Sequence, residues 1–385
     1  MKRNWEYKKL GDVCTVLGGS TPKTNIPEYW GGENYWVTPA ELTGEKYIES
    51  TERTITDEAV AKTNLTLLPV GTVLLSSRAP IGKVCITRSP MYCNQGFKNI
   101  VCSKCLYNEY VYWWLKGKTD YLNSLGVGAT FKEISKRTVE QIVIPIPPLS
   151  EQSRIVAELD LLTGIIDKQN AQLKELDNLD QAIFYDMFGD PIENPKGWEI
   201  KKLGEVCDVR DGTHDSPDYV EHGYPLVTSK NVVDGTISFE NVNYVNEADF
   251  ISISKRSKVD DGDIIMPMIG TIGKPVIVCK TREFAIKNVA LIKFYEDSSV
   301  LNVFIRAIIS SDSFDAYMKT KNKGGTQKFI ALGDIRKLSV PVPPLALQQS
   351  FAEKIQSIEK QKETIRASIA DTQKLLDYTM DKYFG

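Results

Sequence analysis

Few side chains in this 385-residue sequence have the types and spacing that a catalytic site requires. The two histidines, His214 and His222, both lie in the second half of the chain. They give little scope for a histidine acid–base site that is present in both halves. Asp218 and Glu221 resemble part of a nuclease cluster, but the lysine that such a cluster needs is missing. We therefore expect no catalytic residue in the chain.

The motifs that bind nucleotides or a methyl donor are also incomplete. GGSTPKT at 18–24 lacks the Gly-Lys-Ser/Thr ending of a phosphate loop, and GVG at 126–128 lacks the third glycine of a dinucleotide motif. DNA amino-methyltransferases carry Asn/Asp-Pro-Pro-aromatic, whereas Pro147-Pro148 is followed by Leu149. The sequence thus predicts that the chain itself binds no cofactor.

The cysteines do not form a recognisable metal site. There are seven, an odd number spread along the chain, which favours reduced thiols. Cys102 and Cys105 form one CxxC pair, but a structural zinc site needs four ligands and both histidines are far away in the sequence. We expect no bound metal.

A lysine- and glycine-rich stretch, KTKNKGGTQK at 319–328, is the clearest binding signal. Its glycines let the backbone approach a ligand closely, and its polar side chains suit contacts with phosphates or base edges. The candidate DNA-binding residues in this stretch are Lys321, Lys323, Thr326, Gln327 and Lys328. The corresponding stretch of the first half, GATFKEIS at 128–135, offers Thr130 and Lys132.

A second stretch places basic side chains around a turn in both halves. SSRAPIGK contains Arg78 and Lys83, and IGTIGK ends at Lys274. Each residue taken singly is better explained as an ordinary surface charge, so the hypothesis rests on the recurrence of the stretches in both halves; the alternative is that this recurrence only preserves a turn. The remaining basic candidates are Lys98, Lys230 and Lys287.

The overall charge argues against a protein that holds nucleic acid by bulk electrostatics. The net charge is -3 and the pI about 5.7, whereas phosphate neutralisation needs clustered lysine and arginine. Any DNA contact then depends on local basic patches or on partner proteins. No run approaches the roughly 20 apolar residues of a membrane span. The first residues show no secretion signal, so we expect a cytoplasmic protein with no membrane partner.

The sequence contains one module twice. WEYKKLGDVCTV from Trp5 matches WEIKKLGEVCDV from Trp198, and IPIPPLSEQ matches VPVPPLALQ. The copies correspond again at Phe188-Gly189 and Phe384-Gly385. Because this period is far too long for a solenoid, it indicates a tandem duplication of a whole module.

Each copy ends in a predicted long helix that follows a double proline. A helix of about 38 residues is about 55 Å long, and its apolar stripe has heptad spacing, so two such helices can pair as an antiparallel coiled coil. The alternative is that each helix packs on its own module. The predicted seam consists of Ile155, Leu159, Leu162, Ile166, Leu173, Leu176, Ile183 and Met187 in the first helix, and of Phe351, Ile355, Ile358, Ile365, Ile369, Leu376 and Tyr383 in the second.

The predicted fold class is α+β, with two mixed α/β domains, related by tandem duplication, joined by the two long helices as an antiparallel coiled coil. We expect the domains at residues 1–149 and 190–345, and the helices at 150–189 and 346–385.

Taken together, these motifs resemble the specificity subunit of a type I restriction–modification system. The resemblance rests on the W-x-x-x-x-L-G-x-V openings at Trp5 and Trp198, the GGSTP stretch, and the G-x-T-x-K-x-I blocks at Gly128 and Gly324. The two P-P-L-x-x-Q helix entries and the MFGDPIENPKGW junction complete it, over essentially the whole chain. No single motif is decisive, but their doubled order is specific.

The resemblance implies two target-recognition domains that each recognise half of an asymmetric, bipartite site in double-stranded DNA. It also implies that the helices set the gap between the half-sites and bind two modification (methyltransferase) subunits. S-adenosylmethionine, ATP and Mg²⁺ would then be bound by partner subunits; whether a restriction subunit accompanies them stays open. A coiled-coil scaffold without sequence-specific DNA binding is the alternative function.

Overall fold

The computed structural model describes residues 5–128, 132–233, 235–268, 275–321 and 330–385. The chain divides into two compact units. The first unit comprises Met1–Gln169 and Ser368–Gly385, and the second unit comprises Asn170–Ala367. Each unit therefore combines most of one module with a helical segment of the other.

The first module forms short strands and helices followed by one long helix. Its strands are β1 (Glu6–Lys9), β2 (Cys14–Gly18), β3 (Trp30–Val37), β4 (Tyr47–Ile48), β5 (Thr54–Ile55), β6 (Val73–Leu75), β7 (Val84–Thr87), β8 (Tyr92–Cys93), β9 (Lys98–Cys102) and β10 (Val143–Ile146). Its helices are α1 (Leu10–Val13), α2 (Asp57–Lys62), α3 (Asn108–Lys116), α4 (Thr119–Ser124), α5 (Lys136–Gln141) and α6 (Leu149–Phe188).

The second module repeats this order with local differences. Its strands are β11 (Glu199–Lys202), β12 (Cys207–Asp211), β13 (Tyr224–Val227), β14 (Val232–Val233), β15 (Thr236–Ile237), β16 (Asn243–Val245), β17 (Ile264–Pro267), β18 (Val276–Ile277), β19 (Ala285–Ile286), β20 (Val289–Phe294) and β21 (Ser339–Val342). Its helices are α7 (Leu203–Val206), α8 (Glu247–Ser257), α9 (Asn302–Ile309), α10 (Asp312–Lys321), α11 (Leu332–Arg336) and α12 (Leu345–Phe384).

In the first unit the main sheet has the strand order β2-β9-β6-β7-β4, beside a smaller sheet of order β5-β3-β8. The main sheet is buried on both faces. Alternate residues of a strand point to opposite sides, so one strand contributes to two clusters. Val73 and Leu75 pack in a cluster with α3 and the start of α6, whereas Leu74 packs with Val37 and Phe97 in another cluster. This double burial explains the uninterrupted apolar run of β6.

In the second unit the main sheet has the order β12-β20-β17-β18, beside a smaller sheet of order β16-β13-β19. Here too the central strand is apolar on both faces. Ile264 and Met266 join the cluster around Phe304 of α9, and Ile265 joins the cluster around Phe284. In each unit the strand that opens the module pairs antiparallel with the strand that precedes its long helix, as β1–β10 and β11–β21.

A buried glutamine fixes the start of each long helix. The Gln152 side chain accepts a hydrogen bond from the Tyr107 amide (2.8 Å) and donates to the carbonyls of Pro147 (2.8 Å) and Cys105 (3.0 Å). Gln348 repeats this pattern with the Leu301 amide (2.8 Å) and the carbonyls of Pro343 (2.8 Å) and Ser299 (2.9 Å). The glutamine of P-P-L-x-x-Q therefore binds a loop of its unit to the helix that begins there.

The end of each long helix completes the core of the unit built by the other module. In the first unit, Tyr383 and Phe384 of α12 belong to the core cluster, and Phe384 contacts Tyr110 with ring centroids 5.6 Å apart. In the second unit, Phe184 and Phe188 of α6 pack against Phe304 and Phe351. The two modules are thus interlocked through their helix ends.

Within each unit the two helical segments run antiparallel. In the first unit the Arg154 guanidinium donates to the Tyr383 hydroxyl (3.1 Å), and Gln169 donates to Ser368 (2.7 Å). In the second unit Lys362 hydrogen-bonds Asp180. Phe188, which comes after Asp180 in α6, contacts Phe351, which comes before Lys362 in α12. The predicted fold class, with two mixed domains joined by two long antiparallel helices, is confirmed.

The predicted seam residues fall into two groups: some belong to or contact the domain cores, and the others are buried or half-buried elsewhere on the helices. None of the fifteen is an exposed residue. Ile155, Leu159, Phe351 and Ile355 pack in the domain cores, and Ile183, Met187, Leu376 and Tyr383 also contact these cores. Leu162 and Ile358 are buried elsewhere on the helices, and Ile166, Leu173, Leu176, Ile365 and Ile369 are half-buried. The heptad stripe therefore serves the domain cores as well as helix pairing.

Lys362 introduces a buried charge into the helix pair of the second unit. Its side chain is 2% exposed, and its ammonium lies 2.7 Å from the Asp177 carboxylate as well as bonding Asp180. Burial lowers the pKa of Lys362, but the hydrogen bonds that its ammonium donates to these carboxylates outweigh this effect, so the pKa lies above its ordinary value. The charged form is therefore the stable one.

No helix in the described ranges combines the length and apolarity that crossing a membrane requires.

We predict that Lys362→Met lowers the free energy of unfolding by about 3 kcal/mol, because the half-buried Asp180 then lacks its cation. The double variant Lys362→Met/Asp180→Leu should recover most of this loss, since an apolar pair replaces the ionic one. Urea unfolding measures both. As a control, Lys374→Met, in an exposed pair with Asp371, should cost no more than about 0.5 kcal/mol. A double variant as unstable as the single one would contradict the pairing.

Candidate nucleic-acid interface

Both units carry the same pair of loops at one end of the main sheet. In the first unit, residues 18–22 follow β2 and contact residues 93–96, where the Ser20 amide donates to the Cys93 carbonyl (2.9 Å). In the second unit, residues 211–215 contact residues 286–288, where the Thr213 amide donates to the Ile286 carbonyl (3.0 Å). We call each such pair the paired loops of its unit.

A glycine makes the close approach of the two loops possible. A Cβ atom at Gly19 would lie 2.1 Å from the Asn94 carbonyl oxygen, and one at Gly212 would lie 2.4 Å from the Ile286 carbonyl oxygen. Both distances are too short for any side chain, so only glycine fits. Gly19 of GGSTP and Gly212 of DGTHD therefore have a packing function.

In the first unit the two predicted binding stretches come together beside the paired loops. The Ile134 amide donates to the Ser77 carbonyl (2.9 Å), which joins the turn at 76–83 to the block at 128–135. The Arg78 guanidinium lies 3.0 Å from the Glu133 carboxylate, and the Lys98 ammonium lies 3.1 Å from it. Lys98 is also opposite Gly18 in the β2–β9 pair, at the same end of the sheet.

Glu133 holds this basic pair in place. Burial raises the pKa of Glu133, but hydrogen bonds from Lys98 and Arg78 outweigh it, so the pKa lies below its ordinary value. The carboxylate is thus ionised and leaves the pair with one net positive charge. Lys132, next to Glu133, is exposed. Arg78 is also exposed, so the cluster presents cations at the surface.

Lys83 lies differently from the other basic candidates of the first unit. Its ammonium donates to the backbone carbonyls of Pro39 (3.2 Å) and Leu42 (3.0 Å). These bonds support the turn at 38–42, so the side chain contributes to the fold at this position.

In the second unit two of the basic candidates are described. Lys287 belongs to the paired loops and donates to the Ser216 hydroxyl (2.8 Å), and its own amide donates to the Val227 carbonyl (2.9 Å). Lys230 is exposed in a short 3-10 turn, Ser229–Asn231, which Thr228 and Asn231 cap. Both lysines are near strand ends rather than inside strands.

Other predicted residues lie outside the described residues: Thr130, Lys274, Lys323, Thr326, Gln327 and Lys328, together with the side chain of Lys321. Two residues that flank these segments in the second unit are hydrogen-bonded, since the Ile330 amide donates to the Met268 carbonyl (3.1 Å). This bond matches the one between Ile134 and Ser77 in the first unit. The second unit therefore repeats the backbone contact that the first unit makes beside its predicted binding stretches.

A charged cluster in the second unit was missed by the sequence analysis. The His214 ring contacts Asp211 through Nε2 (2.8 Å) and Asn288 through Nδ1 (2.9 Å). Asp211 is buried and also accepts a hydrogen bond from Arg256. The bond to Asn288, followed by that to Asp211, raises the pKa of His214. Aligning the two copies would have shown DGTH over GGST, where His214 replaces Thr21.

The described part of the chain contains no group of three His, Cys, Asp or Glu side chains that could hold a metal ion. All seven cysteines are free thiols.

Comparison with known proteins yields one family and several relatives. A family model for the type I restriction modification DNA specificity domain matches residues 2–178 and again residues 195–371. The type I restriction enzyme MjaIX specificity subunit of Methanocaldococcus jannaschii is 33% identical over 384 residues, which cover 92% of this chain and 87% of that protein.

Two solved structures share the fold. A chain from a study of complex assembly and conformational transition of the type I restriction–modification system has a TM-score of 0.60 at 19% identity, covering 99% of this chain and 97% of that one. The S subunit of the type I system from M. genitalium has a TM-score of 0.57 at 14% identity, covering 100% of this chain and 97% of that one.

We predict that His214 makes the stability of the second unit depend on pH. Because its pKa is raised in the folded chain, its contribution is complete below the unfolded pKa of about 6.5 and is lost as the pH rises through the folded pKa. The melting temperature of the wild type should therefore fall, between about pH 6 and pH 8, relative to that of His214→Gln. His222→Gln, which changes an exposed histidine, is the control and should follow the wild type. Parallel curves for wild type and His214→Gln would refute the assignment.

Proposed function

Because the chain belongs to the family of type I restriction–modification DNA-specificity proteins, we propose that it selects an asymmetric, bipartite DNA site for partner subunits. The observation that supports this proposal is the repetition of the paired loops at the same end of both main sheets. The loops share one backbone frame but carry different side chains. One frame with two sets of side chains suits two unlike half-sites.

Charge at the paired loops suits contact with DNA despite the net charge of -3. The first unit presents Arg78 and Lys98 around Glu133. The second unit presents His214 and Arg256 around Asp211, and Lys287 in the same paired loops. Cations of this kind bind phosphates and fix the position of a protein on the duplex. The acidic remainder of the chain leaves much of the phosphate neutralisation to partner subunits.

The two long helices set the gap between the half-sites in this proposal. Each helix of 40 residues is fixed to one unit by its buried glutamine and to the other unit by its aromatic end. At about 1.5 Å per residue, a helix of this length matches between one and two turns of B-DNA. A coiled coil anchored at both ends gives one spacing rather than a range.

Methyl transfer and cleavage belong to partner subunits. Specificity proteins of this family are in general not catalysts, and we propose that two modification subunits bind this chain along its helices. They would bind S-adenosylmethionine and methylate adenine; a restriction subunit, where the complex includes one, would bind ATP and Mg²⁺. We place the complex in the cytoplasm. The scaffold alternative is not favoured, because the family is one of DNA-specificity proteins.

We predict that co-expression of this chain with the methyltransferase subunit encoded beside it methylates adenines in a split motif. The motif should consist of two unlike half-sites with a constant gap, since the two sets of paired loops differ. Genome-wide mapping of methylated adenine measures this, with the methyltransferase subunit alone as the control. A stable complex that methylates no defined sequence would contradict the proposal.

A matched heptad deletion tests the spacing function of the helices. Removing residues 167–173 and 367–373 together shortens the coiled coil by about 10 Å and keeps its apolar stripe in phase. The gap should shorten by about three base pairs while both half-sites keep their sequences. The same methylation mapping detects this. An unchanged gap with altered half-sites would exclude the spacing function.

A further inference from the structure

We propose that Gln95 in the first unit and Asn288 in the second are equivalent specificity-determining residues, each recognising an adenine of its own half-site. The inference rests on the proposed function and names the side chains that perform it. Side-chain amides can bond both the N6 and the N7 of adenine in the major groove, which few other side chains can do.

The equivalence of the two residues follows from backbone hydrogen bonds. The Ser20 amide bonds the Cys93 carbonyl, and the Thr213 amide bonds the Ile286 carbonyl, so Cys93 and Ile286 hold the same place. The next residue in each loop donates its amide to the neighbouring parallel strand, Asn94 to Val37 of β3 and Lys287 to Val227 of β13. Gln95 and Asn288 come directly after. Each is therefore the second residue beyond the same backbone contact.

Each amide is also held by the equivalent residue of the facing loop. Thr21 and His214 occupy the same position, three residues beyond the ends of the paired strands at Gly18 and Asp211. The Thr21 hydroxyl donates to the Gln95 side-chain oxygen. The His214 ring bonds the Asn288 side-chain oxygen at 2.9 Å. The pairing is thus present in both units, although His214 replaces Thr21 and Asn288 replaces the longer Gln95.

This support orients the amides for a base contact. An amide oxygen accepts two hydrogen bonds, so the bond from Thr21 or His214 leaves capacity for the adenine N6 donor. The same bond fixes which way the NH₂ group points, and a fixed donor costs less entropy on binding than a mobile one. Asn288 also has a φ of +55°, a conformation that asparagine tolerates better than most residues. The loop is therefore shaped around this residue.

Each amide has a lysine close to it in the sequence that is a candidate for a phosphate contact. Lys98 is three residues beyond Gln95 and opposite Gly18, and Lys287 directly precedes Asn288. Phosphate contacts position a protein, and base contacts beside them provide the sequence selection. Gln95 is one methylene longer than Asn288, so the two residues reach their bases from different depths. That difference fits two unlike half-sites.

The test uses the full chain in complex with its methyltransferase subunit, and maps methylation for four variants. Gln95→Ala should relax the preference at one adenine of one half-site by roughly tenfold or more, and Asn288→Ala should do so in the other half-site. The half-site recognised by the unaltered unit is the internal control in each case. Gln95→Glu and Asn288→Asp keep the shape but replace the donor by an acceptor, so they should shift the preference from adenine towards cytosine.

The outcomes separate this inference from the proposed function. A wild-type complex without a bipartite motif would overturn both. A bipartite wild-type motif that all four variants leave unchanged would overturn only the assignment of Gln95 and Asn288. Relaxation at a base other than adenine would overturn the choice of adenine. If an alanine variant fails to fold, as its melting temperature would show, the near-isosteric acidic variant decides for that unit.

Discussion

The attachment of each long helix to its unit depends on one buried amide. Gln152 and Gln348 are fully buried, and each binds the segment before its helix and the loop before α3 or α9. A buried amide that loses a partner costs about 1–3 kcal/mol, so orientations that break these bonds are disfavoured. Because the three partners lie on two separate segments, few helix directions satisfy all of them. The position of the paired loops relative to the helix follows from this attachment.

The duplicated frame is filled differently in its two copies. The repeat places Asp180 and Lys362, an ion pair, over Leu376 and Ile166, which are half-buried apolar residues of the first unit. Conversely, the first unit binds the first third of α6 through Lys46, which contacts both Asp160 (2.6 Å) and Glu109 (3.1 Å). An ionic layer at one place along an otherwise apolar stripe disfavours shifted pairings, because a shift would bury the charges unpaired.

Much of the fold could be predicted from the sequence because the signals that mark its long helices are strong. Pro147-Pro148 and Pro343-Pro344 cannot continue a helix, and the heptad stripe that follows is long. Weaker signals say less about short elements: no proline marks the break at Gly117 that separates α3 from α4. The cluster of His214, Asp211 and Arg256 was also missed, since Arg256 of α8 lies far from the other two in the sequence. Likewise, only the structure shows that the carbonyls of Pro39 and Leu42 engage Lys83.

The interlocked helix ends determine the order in which the units can be finished during translation. The second unit is one continuous stretch, Asn170–Ala367, whereas the first needs residues from Ser368 onward. All residues of the second unit therefore precede those residues in the chain. Tyr110 of the first unit packs against Phe384, which lies beyond the whole second unit in the sequence. The unit that emerges first is therefore completed last, which reverses the usual vectorial order for domains.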